Sequence, residues 1–275
     1  MKRFNLILVL LFAAVLSMQA QEYVWSAAPM DGSRTGCASA TKDNVQEALG
    51  TFVNGKYHAP NGKIYKANST VAKVAAIVHA AQPAMAEVKS VITYSEDAMY
   101  MGRGESQLSN WFVGIVMDGV SSLAGKKVDV GICNFGGIRV SMPKGPVTLD
   151  DMYSMFPFKN TVVYLEMKGS DLRKLFEKMA ATHFQAIGGV EIVAEDGKLT
   201  KALIGGKPIA DNKLYGVATI SFLLYGGDSL TLAENAVNMQ VFDDEVIDIV
   251  LAHLDVLKQE GKNITAPTVK YVTVK

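Results

Sequence analysis

From Ser69 to Lys89 the apolar residues fall at Val71, Val74, Ala75, Val78, Ala81 and Met85, the spacing of one helix face. Ser69 stands where a hydroxyl would accept from the first-turn N–H groups, and Pro83 predicts a kink or a division. Further helices are expected at Ser106–Leu123, at Leu149–Met155 behind a Thr148 cap, at Asp171–His183 and at Asp244–Gln259. Apolar runs predict strands at Val91–Tyr94, Val128–Cys133, Thr161–Met167, Gly189–Val193, Leu199–Ile204, Tyr215–Thr219 and Val269–Val274. Asn61-Gly62, Asp196-Gly197 and Gly205-Gly206 read as turns. Residues 21–56, rich in Gly, Ser, Ala and Asn, read as a loosely ordered lead with one helix near Asn44–Val53. Helices and strands mix without strict alternation, which predicts an α+β (mixed α/β) domain over 57–275, not a doubly wound sheet.

The N-terminus changes this picture. Lys2 and Arg3 precede an apolar run from Leu6 to Leu16, and Ala20 closes the segment. That is the layout of a signal peptide over residues 1–20, implying export to a periplasm or the outside. An uncleaved anchor is the alternative, although the run is short for a bilayer span. No later stretch reads as a transmembrane helix.

Hydrophobic residues make up 49% of the 275-residue chain, enough for a substantial core, and the formal net charge is 0. A chain so balanced does not attract nucleic acid or an anionic membrane through its overall field. Any anionic ligand must be held by a few placed cations. Two cysteines, Cys37 and Cys133, could form one disulfide in an exported protein; Cys133 inside an apolar strand also reads as a small core residue, the preferred reading.

Four clusters carry chemistry. Gly102-Arg103-Gly104-Glu105 precedes a helix, where Arg103 and backbone N–H groups could face an anion. Asn134-Phe135-Gly136-Gly137-Ile138-Arg139 follows a buried strand. Its glycines allow close backbone approach, Asn134 offers both a donor and an acceptor to a base edge, and Arg139 offers a fork for phosphate. In Phe156-Pro157-Phe158-Lys159-Asn160 the phenylalanines could pack into the core or turn one ring outward as a stacking platform. In Phe222-Leu223-Leu224-Tyr225-Gly226-Gly227-Asp228, a carboxylate on a Gly-Gly turn could accept from both hydroxyls of a ribose, or bond its own backbone.

Together and in this order, from about Tyr65 onward, the clusters resemble the C-terminal, substrate-binding domain of the 5′-nucleotidases. Asn134–Arg139, Phe156–Phe158 with its Leu165–Leu172 sequel, and Phe222–Asp228 carry the resemblance, with Glu105–Asn110 in support. The resemblance implies that Phe158 and Phe222 sandwich a nucleobase, Asn134 meets that base, Asp228 holds the ribose hydroxyls, and Arg139 and Arg103 contact phosphate. Gly136, Gly137, Gly226 and Gly227 form the turns. The sequence departs from the family pattern at Gly104, Ser109, Phe135 and Ser229-Leu230.

Family members hydrolyse phosphoesters at a two-metal site in a calcineurin-like N-terminal domain. The four histidines here (His58, His79, His183 and His253) sit in none of its motifs. The resemblance therefore implies a chain that holds no cofactor or metal and is inactive alone. It would act as the nucleotide-binding subunit of a split 5′-nucleotidase, the two divalent metals lying in a separately encoded metallophosphatase partner. A stand-alone nucleotide-binding protein is the alternative.

Overall fold

The computed structural model describes residues 45–275, in two compact units that divide between Gln82 and Pro83. The expected signal peptide and Cys37 lie outside the described residues.

In the first unit, α1 (Val45–Leu49) leads into a meander of β1 (Thr51–Val53), β2 (Lys56–His58) and β3 (Ile64–Lys66), paired in that order and antiparallel. The described part of the expected lead, residues 45–56, holds the helix expected near Asn44–Val53 as α1, followed by β1 and the start of β2. Then comes α2 (Thr70–Ala81), capped by the Ser69 side chain, which accepts from Ala72 N at 3.2 Å. The division expected at Pro83 takes the form of a 3₁₀ turn, Gln82–Met85. The apolar spacing of α2 does not mark a buried face: Val71, Val74, Ile77 and Val78 are exposed, and Ala72 is its buried residue.

The second unit is built round a five-stranded sheet ordered β13-β7-β12-β5-β8. These are Ala236–Glu245, Thr161–Lys168, Leu214–Ile220, Val130–Cys133 and Ala186–Gly188. The central strands are almost continuously apolar, as strands covered on both faces must be. Helix α3 (Gln107–Ala124) packs across β5, β7, β8 and β12, burying Leu108, Phe112, Val113 and Val116. Its start is fixed by a reciprocal cap between Ser106 and Ser109. A smaller sheet, β11-β10-β9-β14, holds Lys207–Pro208, Lys198–Ile204, Val190–Glu195 and Val272–Val274. A two-stranded ladder joins β4 (Val91–Ser95) to β6 (Gly145–Thr148), which runs into α4 (Leu149–Met155). Helix α5 (Gly169–Ala181) packs on β7 and β10; α6 (Ser221–Leu224) continues β12; α7 (Val246–Gln259) packs on α3 and β13.

Two expected features differ. The helix expected at Asp171–His183 is α5 at Gly169–Ala181, two residues earlier at both ends. Residues 236–245, not read as a strand, form the edge strand β13, paired on one side only. Its alternation is weak because most of it faces solvent. Among the described residues no helix is long and apolar enough to cross a membrane.

Candidate functional site

Strand directions decide where the four clusters fall. Antiparallel pairing sets Ile220 beside Val162, so β12 ends where β7 begins. Strand β5 runs parallel to β12, and antiparallel β8 sets Ala186 beside Cys133. The loop before β7, the turn after β12, the turn after β5 and the residue before β8 therefore share one end of the sheet. These segments carry Phe158, Phe222–Asp228, Asn134–Arg139 and Gln185.

Phe156 and Phe158 have separated. Phe156 is buried and stacks on Phe112 with centroids 4.8 Å apart, while Phe158 is 45% exposed. Phe222 is 41% exposed, so neither candidate platform is sealed in the core. Thr161 N donates to Ser221 Oγ at 3.1 Å, tying the two platform-bearing segments together at their roots. Among the described residues the two rings make no contact with each other.

Asn134 is buried, and its Oδ1 has no hydrogen-bond partner. An unpaired buried acceptor is costly, which makes this oxygen the one most in need of a donor. Gly137 makes room for it: a Cβ there would lie 2.7 Å from Oδ1. Gly136 is exposed in the same 3₁₀ turn, and its carbonyl accepts from Arg139 Nη1 at 3.4 Å. The Arg139 guanidinium lies 5.8 Å from the Phe158 centroid, within cation–π range. Asn134, Gly137, Phe156, Phe158, Asn160 and Ile220 line a partly open depression of about 10 Å³. That is about the room of one water, so a planar ligand would lie over the exposed rings and not inside this space.

On the other side of the cluster, Gly226 adopts φ 106° and precedes the turn Gly227–Ser229. A Cβ on Gly227 would meet the Phe222 carbonyl oxygen and come within 2.5 Å of its ring. Asp228 and Ser229 both take left-handed backbone conformations, φ 49° and 60°. Such geometry is uncommon outside glycine and is held by its surroundings. Asp228 Oδ2 accepts from Gln185 Nε2 at 3.1 Å, and Lys178 Nζ donates to Ser229 O at 2.8 Å. The carboxylate is therefore held by Gln185, the residue before β8, and not by its own backbone.

Arg103 stands apart from this group. It lines a different cavity with Phe135, Phe184 and Gln185. Sequence reasoning missed Gln185 and gave Asn160, inside the third cluster, no role. Asn160 had a signal, a polar residue between an aromatic loop and an apolar strand. Gln185 had none, because its partner lies 43 positions away. Cys133 is buried with its thiol pushed up by desolvation and forms no disulfide among the described residues. Among the described residues no group of His, Cys, Asp and Glu is arranged to hold a metal.

The Pro83–Lys275 unit is thus a mixed α/β domain whose polar and aromatic loops gather at one sheet end. Residues 88–235 match the family model described as "5′-nucleotidase, C-terminal domain", and the chain belongs to that family. It is 33% identical over 135 residues to Protein UshA of Salmonella pullorum, covering 46% of this chain and 24% of that protein. It is 30% identical over 129 residues to a 5′-nucleotidase of Vibrio cholerae, covering 44% and 23%. The chain thus spans about a quarter of the length of these relatives. Among solved structures, the 5′-nucleotidase precursor of Thermus thermophilus superposes with a TM-score of 0.62 at 24% identity, over 74% of this chain and 43% of that one. The NAD nucleotidase of Haemophilus influenzae gives 0.54 at 17%, over 80% and 48%. Both likenesses support the fold.

Proposed function

We propose that the Pro83–Lys275 unit binds a nucleotide at this sheet end. The observation that carries the proposal is the convergence of two exposed aromatic rings, one unpaired buried amide oxygen, one fixed carboxylate and one guanidinium on four adjoining segments. Each suits one part of a nucleotide. Phe158 and Phe222 offer faces to a planar base, and such stacking contributes about 1–3 kcal/mol per base. Asn134 Oδ1 would accept from an N–H of that base. Asp228, with one oxygen engaged by Gln185, would accept ribose hydroxyls through the other. Arg139 would take phosphate oxygens, with its planar fork suited to bidentate contact.

The chain then serves as the substrate-binding subunit of an exported, split 5′-nucleotidase in nucleotide catabolism. A separately encoded metallophosphatase chain would supply two divalent metals and the attacking water, so this chain alone holds and orients substrate. Its membership of the nucleotidase family and the Lys2–Ala20 segment support this proposal. The experiment is to assay the chain with and without a candidate metallophosphatase. Metal-dependent hydrolysis of a nucleoside monophosphate is expected only from the mixture. Strong activity from this chain alone would refute the split arrangement. Tight nucleotide binding with no partner-dependent activity would identify a stand-alone binding protein.

A further inference from the structure

A second cavity, about 290 Å³ in volume, lies beside the loop cluster and is not used by the nucleotide proposal. Its walls come from the turn after β5, the end of α5, the start of β8 and the last strand, β14. Phe135, Met179, Phe184, Ile187 and Val272 make them apolar. Arg103, Glu105, Ser109, Thr182, His183 and Gln185 supply the polar surface. The charges near it are unequally used. Glu105 accepts from Asn110 Nδ2 at 2.9 Å, from Val272 N at 2.9 Å and from Tyr271 N, so its carboxylate is committed to anchoring the C-terminal strand. Arg103 has no hydrogen bond or ion pair among the described residues. The cavity therefore presents an apolar body with one uncommitted cation. Desolvated apolar walls with a few placed polar groups characterise small-molecule sites, and this volume sits at the lower end of their range of about 300–1,000 Å³. It has room for one or two fused rings.

We infer that this cavity is a second binding site, for a small organic anion with a planar apolar body, an aryl carboxylate in chemical class. The rings fill the space between Phe135, Met179 and Phe184, and the carboxylate meets Arg103, whose guanidinium can accept it in bidentate fashion. The site is separate from the sheet-end cluster but adjoins it. Phe135 follows Asn134 in the same turn, and Gln185 holds Asp228. Arg103, expected from the sequence to contact phosphate, is thereby given a different anion.

The test titrates the full chain with indole-3-acetate and with its neutral counterpart, indole-3-acetamide, by calorimetry. The acid is expected to bind saturably and at least fivefold more tightly than the amide. Arg103→Ala should bring the two to equal affinity. Ala180→Phe, which places a ring into the cavity from a half-buried wall position, should weaken both at least tenfold with an unchanged circular-dichroism spectrum. Saturating AMP should not displace the acid. The inference is overturned if the acid does not bind saturably, if acid and amide bind alike, or if AMP displaces the acid one for one. Should Ala180→Phe fail to fold, the wild type and Arg103→Ala decide the matter. Absence of AMP binding in the same series would refute the nucleotide proposal and leave this one standing.

Discussion

Ser221 Oγ accepts a hydrogen bond from Thr161 N at 3.1 Å, and through this bond the two aromatic platforms share a root. Thr161 opens β7 three residues after Phe158, and Ser221 precedes Phe222. Ser221→Ala removes the acceptor and leaves the Thr161 amide without this partner. Urea denaturation should show a loss of about 1 kcal/mol, the usual net worth of such a bond. Nucleotide affinity should fall at least threefold, because the separation of the rings is no longer fixed. A loss of stability with unaltered affinity would make the bond a structural tie alone.

Gly137 and Asn134 form a second coupled pair. The Cβ introduced by Gly137→Ala would lie 2.7 Å from Asn134 Oδ1, so the amide must turn away. Overpacking of this kind costs about 1–3 kcal/mol, which a thermal melt would read. Affinity for AMP should drop about tenfold, and Asn134→Ala should match it. Equal affinity of Gly137→Ala and wild type would remove Asn134 from the nucleotide site.

His253 gives a pH dependence with a definite sign. Its ring is half-buried, edge-on to Trp111 at 6.4 Å, and burial lowers its pKa against the opposing pull of Asp118 and Glu260. The unfolded chain, with a histidine near the ordinary value of about 6.5, takes up the proton first as pH falls. The group is neutral in both states above that value, so it costs nothing there. Stability is lost as pH drops below about 6.5 and the loss levels off below the folded pKa. Urea midpoints at pH 7.5 and 5.5 should therefore differ more for wild type than for His253→Gln. Equal differences would show that His253 does not contribute to acid sensitivity.

Much of the second unit was legible because its signals are local. The Thr148 cap, α4 and the apolar strands β5, β7 and β12 follow from neighbours within a few positions. Strand β13 was not legible: it is a mostly exposed edge, so burial never imposed a period on it. Helix α2 misled in the opposite sense, with an apolar stripe that is exposed. At the site, the resemblance named Phe158 and not Phe156 as the platform, a choice that residue type alone does not make because both flank one proline, and Phe158 is the exposed one of the two. Membership of the loop motifs in one cluster depended on strand direction, which no single motif encodes. For the same reason Arg103, read from its place before a helix, turned out to line a neighbouring cavity, and Gln185 escaped notice.

The most direct test of the nucleotide site is a calorimetric titration of AMP into the folded wild type, Phe158→Ala and Phe222→Ala. Stacking worth about 1–3 kcal/mol per base corresponds to roughly 5- to 150-fold in affinity. The account predicts saturable binding to the wild type and a loss within that range in each variant. No AMP, GMP or UMP binding by folded wild-type protein, or unchanged affinity in both variants, would contradict it.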